Sequence, residues 1–440
     1  MLKIIISVLC FTVSLFAQDF NNKKITTILV VGNDDTHEDV IKREILLQPG
    51  DSYSDSLRVL SEKRVSNLFL FNHVEIIPIP DEHNLSLLVN VTERFYLYPF
   101  PAFTIEDRDW DKLTYGFGLA HLNFRGRNEK LIGKVLFGYR PGFQLEYYNP
   151  WIGEKNRYTS DIIIHKYSTL HKTLDLDEEH LAVNWVLGRY WSRHFSTYVG
   201  FSFDDVTVPK KWATDSTNAF SYSMISGNRQ ETFAGINFTI AYDNRDLIAY
   251  PAVGWYTRFS YIKNGFFEPK IDYSKYIFDV RRYQTFGKVT FAGRIYSSLT
   301  SGDLPLYRQV YFGFKERVRG HFSEVIGPSR QSLLTNFEMR FPILPIRHIS
   351  LPSSFMPESS TQNLQFGLNG ALFFDSGITW SEKDQPNQGI LKKAFDINDF
   401  ISGFGAGLHF RLPYIEVARL EMGFDEDFNS EFIFEVSTAL

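Results

Sequence analysis

Apolar and polar residues alternate with a period of two over much of the chain between about residue 95 and residue 440. This period is typical of β-strands whose two faces meet different surroundings. In residues 335–341, for example, Phe337 and Met339 fall on one face, and Glu338 and Arg340 fall on the other. At ~22 residues for each strand and its connection, residues 95–440 predict about sixteen strands.

The clearest runs of alternation place individual strands. We expect the first at about residues 95–106, the second at 113–122, and the third and fourth near Leu131 and Leu145. The last five are expected to begin near Leu334, Leu364, Gly403, Ile415 and Glu431. Alternation fits a soluble β-sandwich with a buried apolar face. It fits equally a membrane barrel whose apolar face meets lipid and whose polar face lines the lumen.

The pattern before residue 95 is different. An apolar strand at Ile25–Val31 precedes two segments with helical spacing, and two further strands follow, joined by a polar turn at residues 81–83. We expect Thr36 to cap the first helix and Ser54 to cap the second. The order strand, helix, helix, strand, strand predicts a small α+β domain over residues 24–93.

Residues 1–17 predict a signal peptide. Lys3 supplies a positive charge, and residues 4–16 form an apolar run too short to cross a bilayer as a helix. Ala17 precedes the expected cleavage site. Cys10 is the single cysteine of the chain, so we expect the exported protein to contain no disulfide and no thiolate metal site.

Composition narrows the class of protein only in part. Aromatic residues make up 16% of the chain, which suits the aromatic girdles of a barrel but also an aromatic-rich soluble β-protein. The formal net charge of −5 gives no indication of nucleic-acid binding. The histidines lack metal-ligand spacing. The acidic stretch from Asp175 to Glu179, near His165 and His171, is expected to be a solvated loop, with a cation site as the alternative.

The sequence offers no nucleophile elbow and no phosphate-binding loop, so we expect no enzymatic activity and no cofactor. After the signal peptide it also offers no run of ~18 consecutive apolar residues, the length that a spanning helix needs. A membrane protein without such helices can cross as a closed barrel, in which every backbone group is paired. We therefore predict a mostly β protein, with a 16-stranded antiparallel transmembrane β-barrel over residues 95–440 preceded by the small α+β domain.

The small domain resembles a polypeptide-transport-associated (POTRA) domain over its whole length. The residues that carry the resemblance are Val31, Gly32, Asn33, Thr36, Ile41, Arg43, Glu44, Gly50, Leu57, Leu68, Phe71 and Val74. The resemblance implies that the domain receives unfolded client polypeptides by adding a strand to the edge of its sheet. The alternative is a small α+β domain of unrelated use.

Three motifs in the barrel region resemble the BamA/TamA superfamily of outer-membrane assembly and secretion barrels. The first resembles the family's sixth extracellular loop and comprises Val318, Arg319, Gly320 and His321, with His321 in place of an aromatic residue. The second resembles the family's strand-13 motif and comprises Phe373, Asp375 and Gly377. The third resembles a periplasmic turn and comprises Asp243, Arg245, Asp246, Pro251 and Gly254.

The family resemblance implies that Arg319 meets Asp375 inside the barrel, and we name this expected pair the lumen lock. A guanidinium in a narrow lumen needs a paired acceptor, and a carboxylate on a rigid strand supplies a bidentate one. Alternation places Phe373, Asp375 and Gly377 on the lumen face of their strand. The alternative is that Arg319 and Asp375 are ordinary charged residues in separate loops.

Pro99 and Pro101 bear on how the barrel closes. Strand 1 must pair with strand 16, and a proline cannot donate to that ladder. If both prolines lie inside strand 1, the seam between strands 1 and 16 is short of hydrogen bonds and can part. The opened strand-1 edge could then template a client strand. The alternative is that both prolines lie in the linker before the barrel.

The expected function is assembly, insertion or translocation of outer-membrane proteins, with the POTRA domain receiving clients and the seam templating them. The alternatives are a dedicated secretion pore and a passive channel or surface antigen. The expected partners are outer-membrane lipids, unfolded client polypeptides, and periplasmic chaperones or accessory lipoproteins, with no nucleic acid. The expected location is the bacterial outer membrane, with the POTRA domain in the periplasm.

Overall fold

The computed structural model describes residues 20, 23–81, 84–105, 110, 113–153, 157–170, 177–208, 224–312, 316–321, 326–352, 361–381, 397–413 and 417–436. The expected signal peptide and the predicted strand start at Ile415 lie outside these residues.

The N-terminal domain contains three strands and two helices. They are β1 (Ile25–Val31), α1 (Glu38–Lys42), α2 (Asp55–Ser66), β2 (Phe71–Asp81) and β3 (Asn84–Glu93). β3 lies between the other two strands, parallel to β1 and antiparallel to β2. Ile28, Ile41, Val65, Ile76 and Leu87 from all five elements share one apolar core. The predicted order of elements is confirmed. None of the helices in the described part of the chain is long and apolar enough to cross a membrane.

The prediction that Thr36 caps the first helix is wrong. α1 begins after His37 and is only five residues long. The Thr36 backbone N–H donates to Glu93 Oε1 at 2.8 Å, and its hydroxyl lies 3.0 Å from the Tyr96 hydroxyl. Thr36 therefore ties the start of the domain to the end of β3, a long-range contact that local spacing cannot indicate. Ser54 is the N-cap residue of α2 as predicted, although its side chain makes no capping hydrogen bond.

Sixteen strands form a single antiparallel sheet that makes the barrel. In chain order these are β4 (Leu97–Ile105), β5 (Leu113–Phe124), β6 (Glu129–Gly138), β7 (Gly142–Ile152), β8 (Tyr158–Leu170), β9 (Asp177–Tyr190), β10 (Phe195–Thr207), β11 (Gln230–Asp243), β12 (Gly254–Phe266), β13 (Asp272–Phe286), β14 (Val289–Asp303), β17 (Gln331–Ile349), β18 (Leu364–Trp380), β19 (Ile401–Arg411), β20 (Ala418–Phe424) and β21 (Ser430–Val436). Two short strands, β15 (Val310–Phe312) and β16 (Ile326–Ser329), pair with each other between β14 and β17. Each barrel strand pairs with its neighbours in sequence, and β4 and β21 are the ends of the order. The predicted number of strands is confirmed.

The side-chain pattern of the sheet is the reverse of that in a soluble protein. Phe103 is 73% exposed and Phe432 is 68% exposed, whereas Glu338 and Arg340 are almost completely buried on the opposite face. A soluble sandwich would bury the phenylalanines and expose the charges. Apolar side chains outside and charged side chains inside are the arrangement of a barrel that crosses lipid. The sandwich interpretation is therefore excluded.

The acidic stretch expected to be a solvated loop lies largely in a strand. Residues 177–179 begin β9, and His165 lies in β8. Glu178 is buried and its Oε2 lies 3.0 Å from His180 Nε2. Glu178 and His180 therefore lie on the buried lumen face, whereas the Glu179 side chain on the opposite face is 45% exposed. His171 and Asp175 lie outside the described residues.

The outward face of β18 offers a test of the lipid-facing assignment. Phe374 lies on this face and is 49% exposed. A lysine at mid-depth on a lipid-facing strand costs ~2–4 kcal/mol, whereas a substitution on a water-facing surface changes stability by about 0.5 kcal/mol or less. Phe374→Lys is therefore expected to lower the free energy of unfolding in lipid vesicles, measured by urea-dependent tryptophan fluorescence. Leu57→Lys, on the exposed side of α2, serves as the control. Equal stability of the two variants would contradict the assignment.

Candidate functional site

The connection between β14 and β17, which we name the lumen loop (residues 304–330), is described at residues 304–312, 316–321 and 326–330, and its segment around Arg319 folds into the barrel. Val318 and Arg319 near its tip are 1% and 4% exposed. Gly320 follows with a φ of 108°, a conformation that suits glycine. A Cβ on Gly320 would lie only 2.5 Å from the Phe424 carbonyl oxygen. The glycine therefore lets the loop turn directly against the inner wall of the barrel.

Arg319 contacts Asp375 of β18 through three hydrogen bonds. Its Nε donates to Oδ2 at 2.7 Å, its Nη2 donates to Oδ1 at 2.8 Å, and its backbone N–H donates to Oδ2 at 3.1 Å. The guanidinium carbon also lies 3.9 Å from the centre of the Phe373 ring. The planar fork of arginine suits such a bidentate and stacked site, and lysine cannot reproduce it. The structure thus brings together the residues of two of the sequence motifs.

Gly377, the last residue of the strand-13 motif, makes room for the lumen loop. A Cβ at this position would lie 2.7 Å from the Phe312 ring and 3.1 Å from a Val318 methyl group. Phe312, Val318 and Leu334 form a small buried apolar cluster directly beside the lock. The loop is therefore held by apolar packing as well as by charge.

Two further carboxylates complete the surroundings of Arg319. Its Nη1 donates to Glu338 Oε1 at 2.7 Å and to Glu421 Oε1 at 3.1 Å. The second oxygen of Glu338 accepts from Arg340 Nε at 2.7 Å. Sequence reasoning did not assign these residues to the site. Alternation placed Glu338 and Arg340 on the polar face of β17, but their meeting with Arg319 depends on strand register and on the path of the loop.

The charge network continues to the end of the barrel beside the N-terminal domain. His409 Nε2 lies 3.0 Å from Glu421 Oε1, and His409 Nδ1 lies 3.1 Å from the Tyr250 hydroxyl. Arg340 and Arg411 lie over the Tyr250 ring at 4.8 and 4.9 Å. Glu338, His409 and Glu421 offer ligand atoms within 4.8 Å of one another. The guanidinium groups already bound to both carboxylates oppose a cation here, so we assign no metal to this cluster.

His321, which stands where the family motif has an aromatic residue, makes polar contacts. Its Nε2 lies 3.2 Å from the Ser402 carbonyl oxygen and 2.8 Å from Glu426 Oε2. Partial burial raises the pKa of the Glu426 carboxyl, but hydrogen bonds from backbone N–H groups, including that of Ser402, and from His321 lower it by more. The pKa of Glu426 therefore lies below its ordinary value, and an ionised carboxylate faces His321 at neutral pH.

The predicted turn motif lies between β11 and β12. Arg245 forms a bidentate pair with Asp243, with Nε–Oδ1 and Nη2–Oδ2 distances of 2.9 and 2.7 Å. Asp246 Oδ1 accepts the backbone N–H groups of residues 252 and 253 at 2.9 and 3.2 Å. Pro251 offers its carbonyl oxygen to Arg340 Nη1 at 3.4 Å. Gly254 has a φ of 120°. The acidic and basic residues thus fold the turn on itself.

The same turn binds the N-terminal domain. Lys63 Nζ lies 3.0 Å from Asp246 Oδ2, and Asn67 of the same domain donates to the Asp246 carbonyl oxygen at 3.0 Å. Asn123 near the end of β5 and Asn363 just before β18 also contact the domain. Asn123 Nδ2 donates to Thr36 Oγ1 at 2.9 Å, and Asn363 Nδ2 donates to Thr92 Oγ1 at 3.0 Å. The N-terminal domain is therefore docked across one mouth of the barrel by polar contacts.

Pro99 and Pro101 lie inside β4, opposite Leu119 and Phe117 of β5. In an antiparallel pair, successive residues direct their backbone groups alternately toward and away from the partner strand. Leu122 N–H donates to the Tyr96 carbonyl oxygen at 2.9 Å, so the even-numbered residues of β4 face β5. Both prolines therefore face away from β5, and the free edge of β4 lacks two N–H donors.

The three-stranded sheet of the N-terminal domain has a similar edge on β2. Leu85 N–H donates to the Lys24 carbonyl oxygen at 2.9 Å, away from β2. Its partner Pro80 therefore faces the free edge, as do Pro78 and Ile76 by alternation. The Ile76 N–H is already bound to Glu62 Oε1 at 2.8 Å. Three successive outward positions of β2 thus offer no free N–H, and strand addition along this stretch is unfavourable.

Comparisons with known proteins agree with this architecture. Residues 123–439 match the family described as "Omp85 superfamily domain", and residues 23–94 match the POTRA family described as "Surface antigen variable number repeat". The fold is similar to BamA from Haemophilus ducreyi lacking POTRA domains 1-3, with 15% identity, a TM-score of 0.53, and coverage of 94% of this chain and 83% of that chain. A search of curated protein sequences finds no match.

Two further solved structures share the fold. CdiB from Escherichia coli has 10% identity, a TM-score of 0.55, and coverage of 95% of this chain and 75% of that chain. CdiB from Acinetobacter baumannii has 12% identity, a TM-score of 0.51, and coverage of 94% and 73%. The fold and the lumen loop define the class of an outer-membrane barrel with one POTRA domain. The chain belongs to the Omp85 superfamily, and the predicted family relationship is confirmed.

The lumen lock predicts how the loop responds to loss of Arg319. Arg319→Ala leaves Asp375, Glu338 and Glu421 buried without their shared donor, and breaking such a buried pair costs ~3–5 kcal/mol. We expect the loop tip to leave the wall. A reporter cysteine introduced as His321→Cys should then react with a maleimide at least tenfold faster.

Lys42→Ala removes an ion pair on the surface of α1 and is the matched control, with no expected effect on labelling. Arg319→Lys, which keeps the charge but not the fork, is expected to be intermediate. Unchanged labelling in the folded Arg319→Ala protein would show that the lock does not hold the loop.

Proposed function

We propose that the protein assembles or translocates polypeptides at the outer membrane, with the POTRA domain receiving clients on the periplasmic side and the barrel seam admitting them. Membership of the Omp85 superfamily supports the general role. The specific proposal depends on one observation, which is that Pro99 and Pro101 direct their nitrogens toward the seam between β4 and β21.

The prolines weaken the seam without weakening the rest of the wall. The β4–β5 ladder keeps its hydrogen bonds, because the prolines occupy positions that do not bond to β5. Across the seam, two N–H donors are missing, and two hydrogen bonds contribute ~1–3 kcal/mol in total. No water is available inside the bilayer to replace them. The seam is therefore the place where the barrel opens at least cost.

The POTRA domain is placed to deliver clients to this opening. β4 follows the domain directly, and the Tyr96 ring between them is packed in the domain's apolar core. Because three successive outward positions of β2 offer no free N–H, we place the proposed client contact at the β1 edge instead. There Leu29 and Val31 are 51% and 42% exposed. A client held at β1 would remain next to the mouth of the barrel.

A disulfide across the seam tests the proposal. We would combine Leu97→Cys or Phe103→Cys in β4 with Phe432→Cys or Phe434→Cys in β21 and keep the pair that oxidises. Because the proposed function needs the seam to part, we expect particular outer-membrane barrels to become depleted when the seam disulfide is formed. They should recover when the disulfide is reduced. The readout is quantitative proteomics of the outer membrane.

The matched control joins Met422→Cys in β20 to Phe432→Cys in β21, two residues that face each other in the ladder. This disulfide has the same partner in β21 but leaves the seam free, so client levels should not change. If the seam disulfide also leaves every other outer-membrane barrel protein at its normal level while this protein is folded, the assembly proposal fails. A secretion pore or passive channel would then replace it.

A further inference from the structure

The two edges that meet at the seam differ in their hydrogen-bonding capacity. The free edge of β4 presents Leu97, Pro99, Pro101, Phe103 and Ile105, which together offer five carbonyl groups but only three N–H groups. The two missing donors are adjacent along the edge. An incoming strand would therefore lose one of the two hydrogen bonds at each of two successive pairs in the middle of the ladder, so β4 is a poor template.

The free edge of β21 is complete. Asp425 N–H donates to the Asn429 carbonyl oxygen at 3.1 Å, which fixes the alternation of the β20–β21 hairpin. The Met422 carbonyl oxygen points toward β19, where it would lie 2.0 Å from a Cβ on Gly405. The residue opposite Met422, Phe432, therefore faces away from β20. By alternation the outward positions of β21 are Ser430, Phe432, Phe434 and Val436, each with an N–H and a carbonyl group.

β21 is also held in place independently of the seam. Glu435 forms ion pairs with Arg317 of the lumen loop and with Arg419 of β20. Glu431 accepts the Gly320 N–H at 2.8 Å. β4, by contrast, is joined to the POTRA domain through Tyr96, whose hydroxyl donates to the Leu70 carbonyl oxygen at 3.1 Å. When the seam parts, β21 stays anchored to the lumen loop, and β4 is the side linked to the docked domain.

From these observations, and resting on the proposed function, we propose that β21 rather than β4 is the strand that accepts the client. β4 starts at the POTRA end and runs away from it. β21, the sixteenth strand of an antiparallel sheet, runs back toward that end. A strand added to β21 in antiparallel fashion therefore runs outward from the POTRA end, as the first strand of a barrel does.

The side chains of β21 indicate the chemistry of the partner. Phe432, Phe434 and Val436 are exposed on the lipid face, so the client residues beside them must be apolar. The lumen face of β21 carries Glu431 and Glu435, so the alternate client residues can be polar. The expected ligand is an amphipathic strand of period two without proline at its paired positions.

A peptide derived from β4 itself provides a probe. The test peptide has the sequence of residues 95–105 with valine at positions 99 and 101, which restores both N–H groups. The control peptide keeps both prolines. The full-length protein, in lipid vesicles, carries the photocrosslinker p-benzoylphenylalanine in place of either Phe434 or Phe103. Adducts of the fluorescent peptides are quantified after irradiation.

We expect the valine peptide to give at least tenfold more adduct than the proline peptide at position 434, and little adduct at position 103. Predominant crosslinking at position 103 would overturn the assignment of β21 while leaving a seam that opens and templates. Equal adducts from both peptides, or none at either position in folded protein, would overturn the assignment as well. The seam disulfide judges the proposed function separately.

Discussion

Backbone pairing is the constraint on which this structure depends. Inside lipid every N–H and carbonyl group must find a partner within the protein, so a sheet that crosses the membrane must close on itself. Fourteen of the sixteen strands pair on both sides with neighbours in sequence. The remaining edges belong to β4 and β21, and Pro99 and Pro101 remove two donors from one of them. The shortage of hydrogen bonds at the seam therefore follows from two prolines at alternate positions of β4.

The lumen lock stabilises only the β21 side of the seam. Burying the Arg319 guanidinium is costly unless it is fully paired, and Asp375, Glu338 and Glu421 supply that pairing. Because these carboxylates lie on β17, β18 and β20, the loop secures the strands that lead to β21. The opposite side of the seam is attached to the POTRA domain instead. The lumen loop therefore holds the β21 side of the seam, and the POTRA domain holds the β4 side.

Much of the fold could be predicted from the sequence, because period-two alternation reports directly on strands with two different faces. The number of strands followed from that pattern, whereas the sequence left Pro99 and Pro101 either inside the first strand or in the linker before it, and the structure places them inside β4. The prediction that Thr36 caps the first helix was wrong, because Thr36 forms hydrogen bonds with Glu93 and Tyr96, which are distant in sequence. The contacts of Glu338 and Glu421 with Arg319 could not be predicted, since they require the register between strands.

The direction of each proline was equally hidden in the sequence. Alternation shows which side chains share a face, but only hydrogen bonds such as Leu122 to Tyr96 show which backbone groups face the neighbouring strand. The same holds for Pro78 and Pro80 in the POTRA domain. A pair of prolines two residues apart indicates an edge strand. The structure adds on which side of that strand the N–H donors are missing.

Hydrogen exchange along β21 in lipid nanodiscs tests the central claim most directly. The amides of Ile433 and Glu435 donate to β20, whereas those of Phe432 and Phe434 face the seam. A weak seam predicts alternating protection, with seam-facing amides exchanging at least tenfold faster than their neighbours and slowing when Pro99→Val and Pro101→Val restore the missing donors. Uniform protection along β21, unchanged in that variant, would show that the seam is as firm as the rest of the barrel and would contradict the account.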